Sequence, residues 1–165
     1  MKKKVALIGL GNILMGDEGV GVHAVEALRR RYDFSPDLDL IDGGTLGLDL
    51  LPLLEGAEKI FFLDALHLQD DPGTIAVLED AEIPSFLGRA LSFHQVGLAD
   101  LLFASKLIGM KPSKVLLIGI QPEKVETGLT LSKTLQGRFE NYIQTILGKL
   151  AEFGVESTQT NRKGV

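Results

Sequence analysis

Residues 5–21 read VALIGLGNILMGDEGVG, and the fold turns on how this stretch is read. Residues 5–10 form a short, unbroken apolar run ended by glycine, the pattern of a strand covered on both faces. Residues 18–32 then change period. Val22, Val25, Ala27 and Leu28 fall on one side of a helix, and Arg29, Arg30 and Arg31 fall in its last turn, where cations suit the helix dipole. Strand, glycine turn and helix make the opening half of a βαβ unit.

The rest of the chain repeats that alternation. Residues 38–41 predict a second strand ended by Asp42-Gly43-Gly44, and residues 59–63 (KIFFL) a third that reaches Asp64. Residues 73–78 predict a strand after the Asp71-Pro72-Gly73 turn, and residues 114–120 a further buried one. Residues 46–54 read as helical despite Pro52, and residues 81–89 as irregular or a short helix. Residues 95–108 are helical through Val96, Leu98, Leu101, Leu102 and Leu107, and residues 131–153 form a long closing helix. Such an order implies right-handed crossovers and a three-layer α/β/α domain around a mostly parallel, twisted sheet. Residues 1–155 are expected to form that single domain and the polar residues 156–165 a flexible tail.

Composition narrows the function. A chain of 165 residues with 45% hydrophobic content can bury one real core. Seventeen basic against 22 acidic residues give a formal charge of -5, which argues against nucleic acid or an anionic membrane as partner. Cysteine is absent, removing disulfides, thiolate metal sites and a cysteine nucleophile. The start, MKKKVALIGLGNIL, has the charged and apolar parts of a signal peptide. Gly9, Gly11 and Asn12 interrupt it, however, it runs into Asp17 and Glu18, and no small-x-small cleavage site follows. The reading is a strand in a cytoplasmic protein, with no apolar window long enough to span a membrane.

In open α/β sheets the functional crevice lies beyond the C-terminal ends of the strands. Glu18 follows the first strand, Asp64 ends the third, and His94 stands in Ser92-Phe93-His94-Gln95 before a helix. Two carboxylates and an imidazole suit a divalent first-row metal with coordination positions to spare. Plainer readings stand beside this one. Asp17 and Glu18 would also serve as first-turn acids, worth a few tenths to about 1 kcal/mol, and Asp64 would cap a loop. His23 and His67 read as ordinary positions. Asp42-Gly43-Gly44-Thr45 fits a tight turn with a helix cap, although two glycines at a strand end also let another chain approach the backbone.

A nucleotide loop fails on spacing. Counted from Gly9, the dinucleotide fingerprint places its glycines at Gly9, Gly11 and Leu14, so a leucine occupies the position needed for close helix packing. Glu18 would also face the pyrophosphate. No Gly-Lys-Ser/Thr follows the turn, and no Gly-x-Ser-x-Gly elbow occurs.

GLGNILMGDEGVGVHAVEAL, IDGGTLGLDLL, FLDAL, SFHQVGLADLL and LLIGIQPE, in this order, closely resemble the hydrogenase maturation endopeptidases. The resemblance runs from about Val5 to about Leu150. It implies removal of a C-terminal extension from the precursor of a nickel-iron hydrogenase large subunit after nickel insertion, by a cytoplasmic enzyme with the three-layer fold. The family's metal-contacting positions fall on Glu18, Asp64 and His94. The nickel is expected to be carried by the precursor, with no organic cofactor and a monomeric enzyme. The base that activates water stays open among Asp17, Asp42 and Asp64, as does activation by the metal itself. Asp42-Gly43-Gly44-Thr45 is expected to dock the extended substrate segment. Two alternatives remain. A peptidyl-tRNA hydrolase shares the Gly-x-Gly-Asn turn, but here His23 is followed by Ala24 and the chain is acidic. The other is a non-enzymatic Rossmann-like module.

Overall fold

The computed structural model describes the backbone of residues 4–89 and 93–160, and their side chains except at residues 93–96. β1 (Lys4–Leu10) leads through a 3-10 turn (Gly16–Gly19) into α1 (Val20–Arg31), then β2 (Tyr32–Ser35) and β3 (Leu38–Gly44). A second 3-10 turn (Gly47–Leu50) runs straight into α2 (Leu51–Leu54), followed by β4 (Ala57–Ala65) and β5 (Ile75–Glu79). Next come α3 (Glu82–Leu87), α4 (Phe93–Leu107), β6 (Lys114–Ile120), α5 (Lys133–Glu152) and β7 (Glu156–Gln159).

Five strands form one sheet in the order β3-β1-β4-β6-β5. The first four are parallel, with Ile8 beside both Ile41 and Phe62, and Leu63 beside Ile118. β5 runs antiparallel to β6 at the edge. Residues 66–74, which link β4 to β5, are fewer than the dozen or so that a parallel crossover needs, so the chain reverses. The unbroken apolar runs are explained by two cores, one on each face. Val5, Leu7, Phe61, Leu63, Leu116 and Ile118 pack with α1 and α5, while Ala6, Ile8, Ile60, Phe62 and Leu117 pack with α2, α3 and α4. This is the expected three-layer α/β architecture.

The differences from expectation have local causes. α1 begins at Val20, because residues 16–19 wind into the tighter 3-10 turn and carry Glu18 outside the helix proper. β4 continues through Asp64 to Ala65, so Asp64 lies within the strand, paired with Gly119, instead of ending it. β2 had no sequence signal, and β7 lies where a flexible tail was expected. The two pair antiparallel from Tyr32↔Gln159 to Ser35↔Glu156, and Thr160 N–H donates to the Arg31 carbonyl at 2.9 Å. The tail boundary at residue 156 is corrected accordingly; residues 161–165 lie outside the described residues.

Candidate active site

The site is built where β1, β3 and β4 end. At the start of α1, Gly21 lies so close to the strands that a Cβ there would overlap the carbonyl oxygen of Leu63. This approach seats the Gly16–Gly19 turn, and with it Glu18, over the strand that carries Asp64. Gly11 has φ +118°, and a Cβ on it would overlap the carbonyl oxygen of Glu18, so the loop and the turn close on one another. Gly11 N–H donates to the Gly44 carbonyl at 2.9 Å, which ties the same loop to the end of β3.

Asp17 and Glu18 are adjacent but play different parts. Asp17 is 0% exposed. Its Oδ2 accepts from the backbone N–H groups of Glu123 (2.9 Å) and Lys124 (3.0 Å), and its Oδ1 from that of Ser132 (2.7 Å). Its own N–H donates to the Lys124 carbonyl at 3.3 Å. A carboxylate that accepts three backbone N–H bonds holds those donors strongly, so Asp17 locks the turn to the 121–132 loop. Shut off from solvent and committed to these bonds, it is poorly placed to serve as a general base. Two further backbone bonds, Gly16 N–H to Gly128 O and Gly128 N–H to Leu14 O, both 2.9 Å, complete the seam. Glu18 is half-buried beside it.

Asp64 is 0% exposed in the central strand. Near it lies the phenol of Tyr142, which donates to the Ile118 carbonyl at 2.6 Å. Burial first, and then the charge of Asp64, holds that phenol well above its ordinary pKa. Asp42, at the end of β3, is exposed, and its Oδ1 accepts from Gly44 N–H at 3.0 Å. Its Cα pairs with Gly9, two strands or about 10 Å across the sheet from β4. His94 lies in the first turn of α4, but its side chain is outside the described residues. Among the described residues no cluster of three His, Asp or Glu side chains could hold a metal ion.

The other two histidines have no place in this cluster. His67 is exposed. His23 is half-buried on α1, with Nε2 sealed from solvent and without a hydrogen-bond partner among the described residues, and burial lowers its pKa. Sequence reasoning missed the anchoring role of Asp17 and the proximity of Tyr142 to Asp64. Both depend on partners more than 75 residues away, which no local pattern reveals. No helix among the described residues is long and apolar enough to cross a membrane.

Comparison with known proteins is consistent along nearly the whole chain. The model of a hydrogenase maturation protease family matches residues 22–149. The chain is 37% identical to the hydrogenase 2 maturation protease of Escherichia coli, over 93% of this chain and 94% of that one. It is 38% identical to the hydrogenase expression/formation protein HoxM of Cupriavidus necator, over 91% and 75% respectively. The structure of the hydrogenase maturating endopeptidase HybD from Escherichia coli superposes with a TM-score of 0.89 at 36% identity, covering 94% of this chain and 97% of that one. A [NiFe] hydrogenase maturation protease HybD from Thermococcus kodakarensis gives 0.75 at 27% identity, covering 90% and 99%.

Proposed function

The chain belongs to the hydrogenase maturation protease family, and from that premise we propose that it removes the C-terminal extension of a nickel-iron hydrogenase large-subunit precursor once nickel has been inserted. Membership makes it a peptidase and sets aside the peptidyl-tRNA hydrolase and binding-module readings. In the proposed reaction the nickel arrives as part of the substrate, and Glu18, Asp64 and His94 meet it. The observation that carries this reading is the similarity of the chain to a hydrogenase maturation protease over nearly its full length, and it is supported by Glu18 and Asp64 lying on neighbouring elements at the C-terminal ends of the strands.

Three oxygen and nitrogen donors would recognise a borderline metal ion and, through it, report that the precursor is mature. They would also fix the scissile bond. Water supplies hydroxide to the peptide carbonyl carbon, the C–N bond breaks, and a proton passes to the leaving amine. Asp42 is the candidate to take the proton from that water, because it is exposed at the cleft while Asp17 is spent on backbone N–H groups. The reaction is placed in the cytoplasm, on one copy of the chain.

The test is to incubate the enzyme with nickel-loaded precursor and follow the loss of mass. Glu18→Gln and His94→Ala are expected to abolish shortening while leaving the fold intact. Full processing by either variant would refute the metal-contact assignment. Processing of nickel-free precursor at the same rate would refute the maturity check.

A further inference from the structure

A cavity of about 330 Å³ opens beside the proposed reaction site, between the second 3-10 turn and α4. Its apolar floor is Leu10, Leu50, Leu98 and Leu101, all at most 8% exposed and therefore part of the core. Glycines form much of its wall. At Gly47 and Gly97 an added Cβ would meet nothing within 4 Å, and at Gly44 only the Asp42 carboxylate oxygen, at 3.6 Å. The missing side chains leave the cavity open. The volume is at the lower end of small-ligand pockets, which span about 300–1,000 Å³.

The position points to an occupant. Gly44 and Thr45 line this cavity and also the adjoining cleft that holds Asn12 and Asp42, so the two are continuous. Gly97 follows His94 by three residues in α4, about one turn. A peptide whose scissile bond lies over the strand ends would therefore pass the mouth of the cavity. None of the described lining residues is ionisable; the Asp42 carboxylate stands only at the Gly44 edge, so a charged side chain reaching the leucine floor would be desolvated there.

We propose that this cavity is a specificity subsite that takes an aliphatic side chain of the extended precursor segment flanking the scissile bond. This rests on the peptidase reading above. Binding there removes apolar surface from water on both partners, and it selects by size because Leu50, Leu98 and Leu101 are fixed in the core.

The test fills the cavity from α4. Gly97→Leu replaces glycine in a helix by a better helix former with open space ahead of it, so the variant is expected to fold with an unchanged or raised Tm. Processing of the nickel-loaded precursor by Gly97→Leu should show KM raised by roughly 10-fold or more with kcat little altered, and Gly97→Ala a smaller rise. Precursors with each residue flanking the scissile bond changed singly to Ala should show one position where the change weakens the wild type but costs Gly97→Leu nothing further. Unchanged KM for Gly97→Leu, or additive penalties at every position, would overturn the proposal.

A second readout needs no catalysis. A synthetic peptide spanning the cleavage site should shift the methyl resonances of Leu50, Leu98 and Leu101 in the wild type and not in Gly97→Leu. If these methyls shift but no precursor is shortened, the peptidase reading fails and the subsite stands. If precursor is shortened with the methyls unmoved, the subsite fails alone. Concentration-dependent self-association abolished by Gly97→Leu would assign the cavity to a second copy of the chain and also overturn the proposal.

Discussion

The two walls of the cleft are built on opposite physical principles. On one side, the 11–19 loop and the 121–132 loop are stitched by a buried carboxylate and reciprocal backbone bonds. On the other, residues 44–54 wind through a 3-10 turn and a single helical turn with no side-chain cap, and they expose Leu46, Leu48 and Leu53. The first wall carries Glu18 and suits a fixed charge, because preorganised ligands need no rearrangement when the ion arrives. The second frames the apolar cavity. On the proposed reading, the stitched wall presents Glu18 to the metal and the wall that frames the cavity meets the peptide.

The largest expected effect attacks the rigid wall. Asp17→Ala leaves three part-buried backbone N–H groups without their acceptor, and because Glu123 and Lys124 are exposed enough for water to reach them, denaturant unfolding should show a loss of about 1–3 kcal/mol in total. A loss below about 1 kcal/mol would show that water replaces the carboxylate and that the wall is not locked. Gly11→Ala comes next, because it combines φ +118° with overlap of the Glu18 carbonyl. We expect a drop in Tm of several degrees accompanied by loss of processing.

On the wall that frames the cavity the same kind of change should be milder. Gly47→Ala meets no atom and costs only its left-handed φ of +54°, about 1–2 kcal/mol, so kcat should be retained while KM rises modestly as the Cβ narrows the cavity it lines. If Gly47→Ala proves as damaging as Gly11→Ala, the contrast between the walls is wrong. The smallest effect lies outside both. Glu140 accepts from Arg31 at 2.7 Å, and that bond holds its pKa below the ordinary value although burial opposes it. With a depressed folded pKa, the pair's contribution is present above the unfolded value near 4.5 and lost as pH falls through the folded one. Because both side chains are exposed, Glu140→Gln should change stability by less than about 0.5 kcal/mol at pH 7 and should flatten the acid limb slightly.

The layered fold was legible because its signals are local. The apolar runs at β1, β4 and β6 and the helical spacing of α1 and α5 each announce themselves within a dozen residues. β2 (YDFS) and β7 (ESTQ) were invisible because each has four residues, mostly polar, and is defined only by the other. The site was legible in part. Glycine spacing ruled out a nucleotide loop and directed attention to Glu18, but it could not separate Glu18 from Asp17. That separation depends on loop 121–132, which the sequence places far away and the fold brings beneath the turn.

The anchoring of Asp17 also bears on synthesis. Its partners Glu123, Lys124 and Ser132 follow it by 106, 107 and 115 residues. Chains grow from the N-terminus, so β1, α1 and β3 can pair on the ribosome while the turn bearing Glu18 still lacks its support. Only when Ser132 has left the exit tunnel can the carboxylate close its three bonds. The cleft is thus among the last parts of the molecule to be completed, and a chain released early carries every proposed metal-contacting residue without the wall that holds Glu18 in place.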